Sequence, residues 1–456
     1  MRRLTLPPRL PAGEAANDIV SIPVTMHWVW SPLGLLIVLP VPALFLSMAI
    51  NDESFPELFA QPVFLTDTLR WIATCYLLIM LLTFLLIVPM KASTSGSIAL
   101  DQRALLWLDR SCRVVATITF SAYAVWLGAA IVRGLRPDSI RALLEGDPGT
   151  MYTLRSQYFE TIGGLTTWMQ LAAIAAPLAI LRSKAGIRSA RPILTWLFVF
   201  AFVRALLNSE RLALIEIVVS VTLSYMILRP AAPKILQRTL PTAALIVASW
   251  ALLFLTFAGF EFFRSWTYVQ GEAGADFWAY VSALLVGYYA TALNLAAFDV
   301  QYLDGEQLIS RMFDGNIYEQ LFGPSPLAGV QRAYGLETFT NRSGLITPYV
   351  AAGTIGGGVI LLIVAVSIAL LARRAAGGHV VALLAYCASA AGILEIVRIF
   401  YFGSSRYLPI VIAAIVLMLS WTIGRSRAAK GHPRGASLRR KRPRLSPTSR
   451  HKTSGG

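Results

Sequence analysis

Long apolar runs without charged residues recur along most of the chain, and they constrain its fold more than any other feature. Of the 456 residues, 56% are hydrophobic and only 14% are charged. A run of about twenty apolar residues is what an α-helix needs to cross the hydrocarbon core of a bilayer. Backbone polar groups must be satisfied within lipid, so such runs predict helices. The sequence therefore predicts an all-α, polytopic transmembrane helix bundle.

Read in order, these runs predict about ten spans. The spans lie near residues 31–50, 71–90, 114–132, 162–181, 193–207, 212–228, 241–260, 345–371, 380–397 and 407–424. The predicted regions are a cytoplasmic N-terminal segment over 1–30, a transmembrane domain over 31–424 with an outer loop over 261–344, and a tail over 425–456.

The tail accounts for much of the positive charge of the chain. It holds eleven of the 40 lysines and arginines and no acid, and the net charge of the whole chain is +16. A segment this polar cannot bury enough apolar surface to fold, so we predict that it is disordered. We interpret it as a cytoplasmic anchor near anionic membrane lipid rather than a nucleic-acid-binding element.

The distribution of cations predicts the orientation. With the N-terminus in the cytoplasm, 27 lysines and arginines lie inside and 12 outside, which satisfies the positive-inside rule. Residues 277–297 are also free of charge and would make an eleventh span. An odd number of spans would place one basic terminus outside, so we predict a re-entrant or surface-lying helix within the outer loop.

Charged residues inside apolar runs are candidates for function, because hydrocarbon excludes unpaired charge. The candidates are Arg204, Glu216 and Glu395. The hairpin over 192–228 is predicted to be two short helices that meet at a polar turn, which places Glu210 and Arg211 at the outer surface. The alternative is that Arg204 or Arg211 forms a salt bridge with Glu216 that only holds the hairpin together.

Arginines of the predicted outer surface could bind phosphate, because a guanidinium group binds phosphate oxygens bidentately. Those in the outer loop are Arg264, Arg311, Arg332 and Arg342, and Arg398 and Arg406 flank the last outer loop. Several arginines converging on one cavity would suit a diphosphate group. For each of them the alternative is a plain interfacial anchor.

Any proton acceptor at the predicted outer face must be a carboxylate, because all four histidines fall on the cytoplasmic side. Glu210, Glu261 and Glu337 are the candidates. The sequence contains no Cys/His metal motif and no phosphate-binding glycine-rich loop, so we predict neither a metal nor another cofactor.

The order of these features resembles the O-antigen polymerase family, the oligosaccharide repeat-unit polymerases of bacterial envelopes. The resemblance covers roughly residues 190–375. It includes the hairpin turn at 208–211, Arg264 just after the next span, the long outer loop with an aromatic helix, and the return to the membrane through Glu337 and 349–356. Ala351, Ala352 and Gly353 stand where such proteins often carry Asp-Phe-Gly.

The resemblance implies a metal-independent glycosyltransferase of the bacterial inner membrane, with both termini in the cytoplasm. It would move a glycan from polyprenyl diphosphate to the terminal sugar of another lipid-linked repeat at the periplasmic face. The catalytic residues implied are Arg211, Arg264 and Arg342 for the diphosphate, and Glu210, Glu261 or Glu337 for the acceptor hydroxyl. The substrate-binding residues implied are Arg204, Arg332, Arg406 and Tyr349. The implied partners are polyprenyl-diphosphate-linked oligosaccharide, membrane lipids and a chain-length regulator.

Three alternatives stay open. An O-antigen ligase shares this architecture, although it is thought to need an outer-loop histidine. A polyprenyl-phosphate-dependent glycosyltransferase would use paired acids in its first outer loop, where Asp52 and Glu53 stand here. A transporter or flippase, from a different class, would use broken helices with mid-membrane charges.

Overall fold

The computed structural model is mostly helical, which confirms the predicted predominance of α-helix. It describes residues 19–50, 52–88, 93–145, 150–160, 162–207, 211–228, 242–262, 266, 276–303, 328–334 and 341–430. Strands β1 (Val20–His27) and β2 (Ser93–Leu100) form one antiparallel pair that the sequence analysis did not predict. Ile22, Val24 and Met26 alternate along β1 and are buried, the period expected of a half-buried strand.

The helices follow the predicted runs closely. They are α1 (Pro32–Val38), α2 (Pro40–Met48), α3 (Ser54–Phe59), α4 (Asp67–Ile87), α5 (Gln102–Val132), α6 (Pro137–Glu145), α7 (Thr150–Thr153), α8 (Ala172–Lys184), α9 (Arg191–Leu207), α10 (Arg211–Ile227), α11 (Thr242–Glu261), α12 (Phe277–Tyr302), α13 (Ala328–Ala333), α14 (Thr347–Ala376), α15 (Val380–Leu394) and α16 (Tyr407–Lys430). A π-helical turn, Leu154–Tyr158, follows α7, and 3₁₀ turns lie at Trp28–Trp30, Thr166–Leu171 and Tyr401–Gly403.

Several helices have the length and composition needed to cross a membrane. Among the described residues these are α4, α5, α12 and α14, and shorter apolar helices cover Pro32–Met48, Val380–Leu394 and Tyr407–Ile423. Helix α16 runs on to Lys430, past the predicted boundary at residue 424. The rest of the predicted tail lies outside the described residues, as do residues 1–18.

The first predicted span is broken by its prolines. Helix α1 ends at Val38 and α2 begins at Pro40, because proline has no N–H and cannot continue the ladder of helical hydrogen bonds. In a continuous helix the Val38 carbonyl would accept from residue 42, which is also a proline. The indole Nε1 of Trp250 in α11 donates to this carbonyl instead, at 2.8 Å. The Trp250 side chain thus links α11 to the break between α1 and α2.

The strands and loops that connect the helices lie at two ends of the bundle. At the first, the strand end, β1 and β2 lie beside the turn between α14 and α15, where Gly378 adopts φ +87° and packs directly on the backbone of Ser97. At the second, the loop end, Gly344 lies against the carbonyls of Ile396 and Ile399, where an added Cβ would come within 2.6 Å and 2.5 Å of their oxygens. Helix α14 runs from the loop end to the strand end.

The segment predicted to be re-entrant or surface-lying forms one continuous helix, α12, which is mostly buried within the protein. Within its most apolar window, 72% of the residues are buried. Small residues such as Ala290 and Ala296 allow this close packing. Its first half packs on the last turns of α11, with the rings of Phe257 and Tyr288 5.5 Å apart.

The second half of α12 is fixed to the loop before α4. The Asn294 side chain accepts from the backbone N–H groups of Phe64 at 2.7 Å and Leu65 at 3.2 Å, and donates to the Pro62 carbonyl at 2.9 Å. The backbone N–H of Ser343 donates to the α12 carbonyl of Ala292 at 3.0 Å. Helix α12 is long enough to cross a membrane. The segments that bond Ala292 and Asn294, however, all lie at the loop end.

We predict that Trp250→Phe destabilises the protein by about 1–3 kcal/mol, because it leaves the partly buried Val38 carbonyl without a donor. Thermal unfolding of the detergent-purified protein measures this. Trp196→Phe is the matched control, since that indole is 56% exposed. Equal melting temperatures for the two variants would contradict the proposed role of Trp250.

Candidate functional site

A cavity of about 320 Å³ lies between α1, α10, α11 and α12, and its two ends differ in chemistry. Most of its wall is apolar and includes Trp30, Val38, Val218 and Trp250. Charged side chains line the wall at the loop end. The cavity is therefore amphiphilic, with a long apolar part and a polar end.

Helix α10 forms one wall of the cavity, and its other face carries polar side chains into the bundle. The residues that face the cavity are Leu214, Ile215, Val218, Val219 and Thr222, which follow helical spacing. On the other face, the Ser220 hydroxyl donates to the Ala173 carbonyl of α8 at 3.0 Å. Helix α10 thus separates the cavity from a buried polar interior.

The first charged group of the cavity is Arg211, the first residue of α10. Its side chain is 6% exposed and forms an ion pair with Glu261, 4% exposed, at the end of α11. Its Cζ atom also lies 4.2 Å from the ring centroid of Phe257 and 5.0 Å from that of Tyr288, within cation–π range. The structure thus brings together two predicted site residues.

The second charged group is Arg398, which follows α15. Its Nη1 lies 3.0 Å from Oε2 of Glu395, and both side chains are less than 10% exposed. Its Cζ lies 4.1 Å from the ring centroid of Tyr288. Since the Cζ atoms of Arg211 and Arg398 lie 5.0 Å and 4.1 Å from one centroid, they are no more than 9.1 Å apart.

A buried polar cluster lies behind α10 and contains two of the predicted substrate-binding arginines. The amide orientation of Gln170 that satisfies its neighbours accepts from Arg204 at 3.2 and 3.3 Å and from Arg406 at 3.2 Å, and donates to Glu216. Nη1 of Arg406 lies 3.6 Å from Oε1 of Glu216. The predicted alternative was a salt bridge of Glu216 with Arg204 or Arg211. Glu216 pairs with Arg406 and is linked to Arg204 through Gln170, whereas Arg211 pairs with Glu261.

Tyr401 completes this cluster from the loop between α15 and α16. Its side chain is fully buried. Burial, and then the charge of Glu216, raise the pKa of its hydroxyl well above the usual range. The hydroxyl therefore remains protonated at physiological pH and can act as a hydrogen-bond donor to the carboxylate.

Of the remaining predicted site residues, the described Arg342 and Tyr349 are not part of the cavity wall. Arg342 forms an ion pair with the buried Asp299 in the second half of α12. Tyr349 lies half-buried in the first turn of α14. The backbone of Arg332 lies in α13, and its side chain lies outside the described residues, as do Glu210, Arg264 and Glu337.

The sequence analysis named Arg398 only as an arginine beside the last outer loop, and it did not name Tyr288. Glu395 and Arg398 have the i, i+3 spacing of an ion pair next to an apolar run, which was an available signal. Tyr288 carries no such signal, because the two arginines that its ring contacts are far away in sequence.

Among the described residues, no group of three or more His, Cys, Asp and Glu side chains is arranged to hold a metal ion.

The acids considered for the polyprenyl-phosphate alternative lie at the protein surface. Asp52 forms an ion pair with Arg70, and its side chain is 55% exposed. Arg70 also bonds Asp67 at 2.9 Å. Asp52 is thus part of a surface ion-pair network and not part of the cavity.

Searches against protein-family models, curated proteins and solved structures found no match to this chain.

We predict that Glu216→Leu destabilises the protein by about 3–5 kcal/mol, because it leaves buried guanidinium charge without its carboxylate. Glu145→Gln is the control, since Glu145 forms an exposed pair with Arg141 at 2.7 Å and should change stability by less than about 1 kcal/mol. The difference in thermal unfolding between the variants is the measurement. A Glu216 variant as stable as the control would rule out this role.

Proposed function

We propose that this chain is a membrane glycosyltransferase that polymerises lipid-linked oligosaccharide repeats. It would transfer a glycan from polyprenyl diphosphate to the terminal sugar of a second lipid-linked repeat. The amphiphilic cavity carries this proposal, because its apolar length and arginine-lined end match a lipid tail joined to an anionic headgroup. The order of sequence features resembling the O-antigen polymerases supports the same chemistry.

The proposed setting is the inner membrane of a bacterium, with about ten spans and both termini in the cytoplasm. The excess of lysines and arginines on the predicted cytoplasmic side supports this orientation. In it, the strand end faces the cytoplasm and the loop end faces the periplasm. Helix α12 then belongs to the periplasmic side, consistent with its contacts to the loop before α4 and to Ser343.

The proposed chemistry needs little from the protein beyond positioning and charge. The lipid donor brings its own leaving group, and Arg211 and Arg398 would stabilise the charge that develops on the departing diphosphate. Glu261 lies beside Arg211 and would orient or deprotonate the acceptor hydroxyl. The anomeric carbon loses its bond to the diphosphate oxygen, which leaves with the electron pair, and gains a bond to the acceptor oxygen. The mechanism requires no metal.

We expect that Arg211→Gln and Arg398→Gln each lower polymer synthesis by about 100-fold or more, because each removes a group that stabilises developing charge. The assay uses purified protein in liposomes with lipid-linked repeats as both donor and acceptor, and the product ladder is read on a gel. Arg141→Gln, at an exposed position, is the control. Undiminished ladders from both cavity variants would refute the proposal.

The same assay separates the rival functions. A ligase would need a different acceptor and would make no ladder from lipid-linked repeats alone. A polyprenyl-phosphate-dependent enzyme would lose activity in Asp52→Asn, whereas a polymerase should not. A transporter or flippase is favoured by the buried charges of the polar cluster, and it would move lipid across the liposome without lengthening the glycan.

A further inference from the structure

Each arginine of the cavity forms an ion pair with a buried carboxylate. We propose that Glu261 and Glu395 are internal counterions, which the diphosphate of a prenyl lipid displaces from Arg211 and Arg398. Ligand binding and carboxylate release would then be one exchange. The identity of this ligand rests on the proposed function, while the exchange itself is a property of binding and does not require turnover.

Burial is the first reason for this inference. The exposed fractions are 6% for Arg211, 3% for Glu261, 8% for Arg398 and 2% for Glu395. A guanidinium buried to this extent without a counterion is strongly destabilising. Both arginines therefore need their carboxylates, and an anion that displaces a carboxylate must take over its role.

The rings beside the arginines make such an exchange possible without collapse of the site. Phe257 and Tyr288 contact the Arg211 guanidinium, and Tyr288 also contacts that of Arg398. These contacts do not involve the carboxylates. The guanidinium groups can therefore keep their positions against the rings while their anionic partners change.

Geometry and charge both favour a diphosphate as the incoming group. The two Cζ atoms are no more than 9.1 Å apart, since they lie 5.0 Å and 4.1 Å from the Tyr288 centroid, so one diphosphate can reach both. A guanidinium carries five donors, so each arginine can bond more than one phosphate oxygen. The adjoining wall is apolar, which favours a diphosphate attached to a prenyl chain over a free one.

The exchange predicts that removing a counterion strengthens ligand binding. In Glu261→Gln and Glu395→Gln the competing charge is gone but the size of the side chain is kept. We expect each variant to bind farnesyl diphosphate about fivefold or more tightly than the wild type, the usual scale of coupling between two ligands of one site. Binding of farnesol, which has no charge, should not change. Arg398→Gln should weaken binding of the diphosphate.

The experiment uses the full-length protein in nanodiscs and titrates three probes: farnesyl diphosphate, farnesol and inorganic pyrophosphate. Quenching of tryptophan fluorescence reports binding, because Trp30 and Trp250 line the cavity. Glu145→Gln, an exposed acid remote from the cavity, should bind all three probes as the wild type does. Binding of pyrophosphate as tight as that of farnesyl diphosphate would overturn the prenyl part of the proposal. Unchanged or weaker diphosphate binding in both glutamine variants would overturn the exchange.

A measurement on the wild type covers the case in which a variant does not fold. Infrared difference spectra should show a change in carboxylate bands when farnesyl diphosphate binds, and no such change with farnesol. Binding without any carboxylate change would overturn the exchange. Tighter binding in the variants, together with no polymer made by the wild type in the liposome assay, would refute the proposed function and support the exchange.

Discussion

The need to pair charge inside an apolar helix bundle is the constraint on which the rest of this structure depends. Buried charges cost several kcal/mol each unless a partner and hydrogen bonds compensate them. Such pairs lie at the start of α10, after α15, behind α10 and beside α12, and three of the four join elements that are far apart in sequence. The pairs are Arg211–Glu261, Arg398–Glu395, Arg406–Glu216 and Arg342–Asp299.

Helix α10 shows how this constraint is related to the candidate function. One face of the helix is apolar and lines the cavity, and the other places Glu216 and Ser220 in the interior. Arg211 stands at its first turn, where the cavity meets the loop end. The polar cluster behind α10 fixes the end of the loop that begins with Arg398, because Arg406 of that loop contacts Glu216. The polar cluster thus supports the cavity without lining it.

Much of the fold follows from the sequence, because apolar runs and prolines act locally. The runs predicted the helices, and Pro40 explains why the first run is divided. The strands were missed because β1 lies in a segment interpreted by charge alone and pairs with residues more than sixty positions away. The burial of α12 depends on Asn294 and its partners in a distant loop, and no local pattern predicts those contacts.

The candidate site was only partly predictable for the same reason. Arg211 was chosen because the hairpin turn was predicted to place it at the outer surface, and Glu261 because it is a carboxylate at the start of the predicted outer loop; the structure pairs them. Arg398 had a similar signal, but nothing local ties it to Tyr288 or to the cavity. Arg204 and Arg406 were expected to bind substrate, and the structure places them in the polar cluster with Gln170. Residue type indicated which side chains need partners, and only tertiary contacts determine which partner each one has.

The central claim is that the cavity holds a prenyl chain with its anionic end at the arginines. Photo-crosslinking with a prenyl diphosphate that carries a diazirine on its chain tests this directly, with labelled residues mapped by mass spectrometry. The account predicts labelling of Val218 and Trp250 in the cavity wall, abolished by excess unlabelled prenyl diphosphate. Competable labelling found only on lipid-facing side chains such as Phe45 and Leu86, which are 67% and 83% exposed, would contradict it.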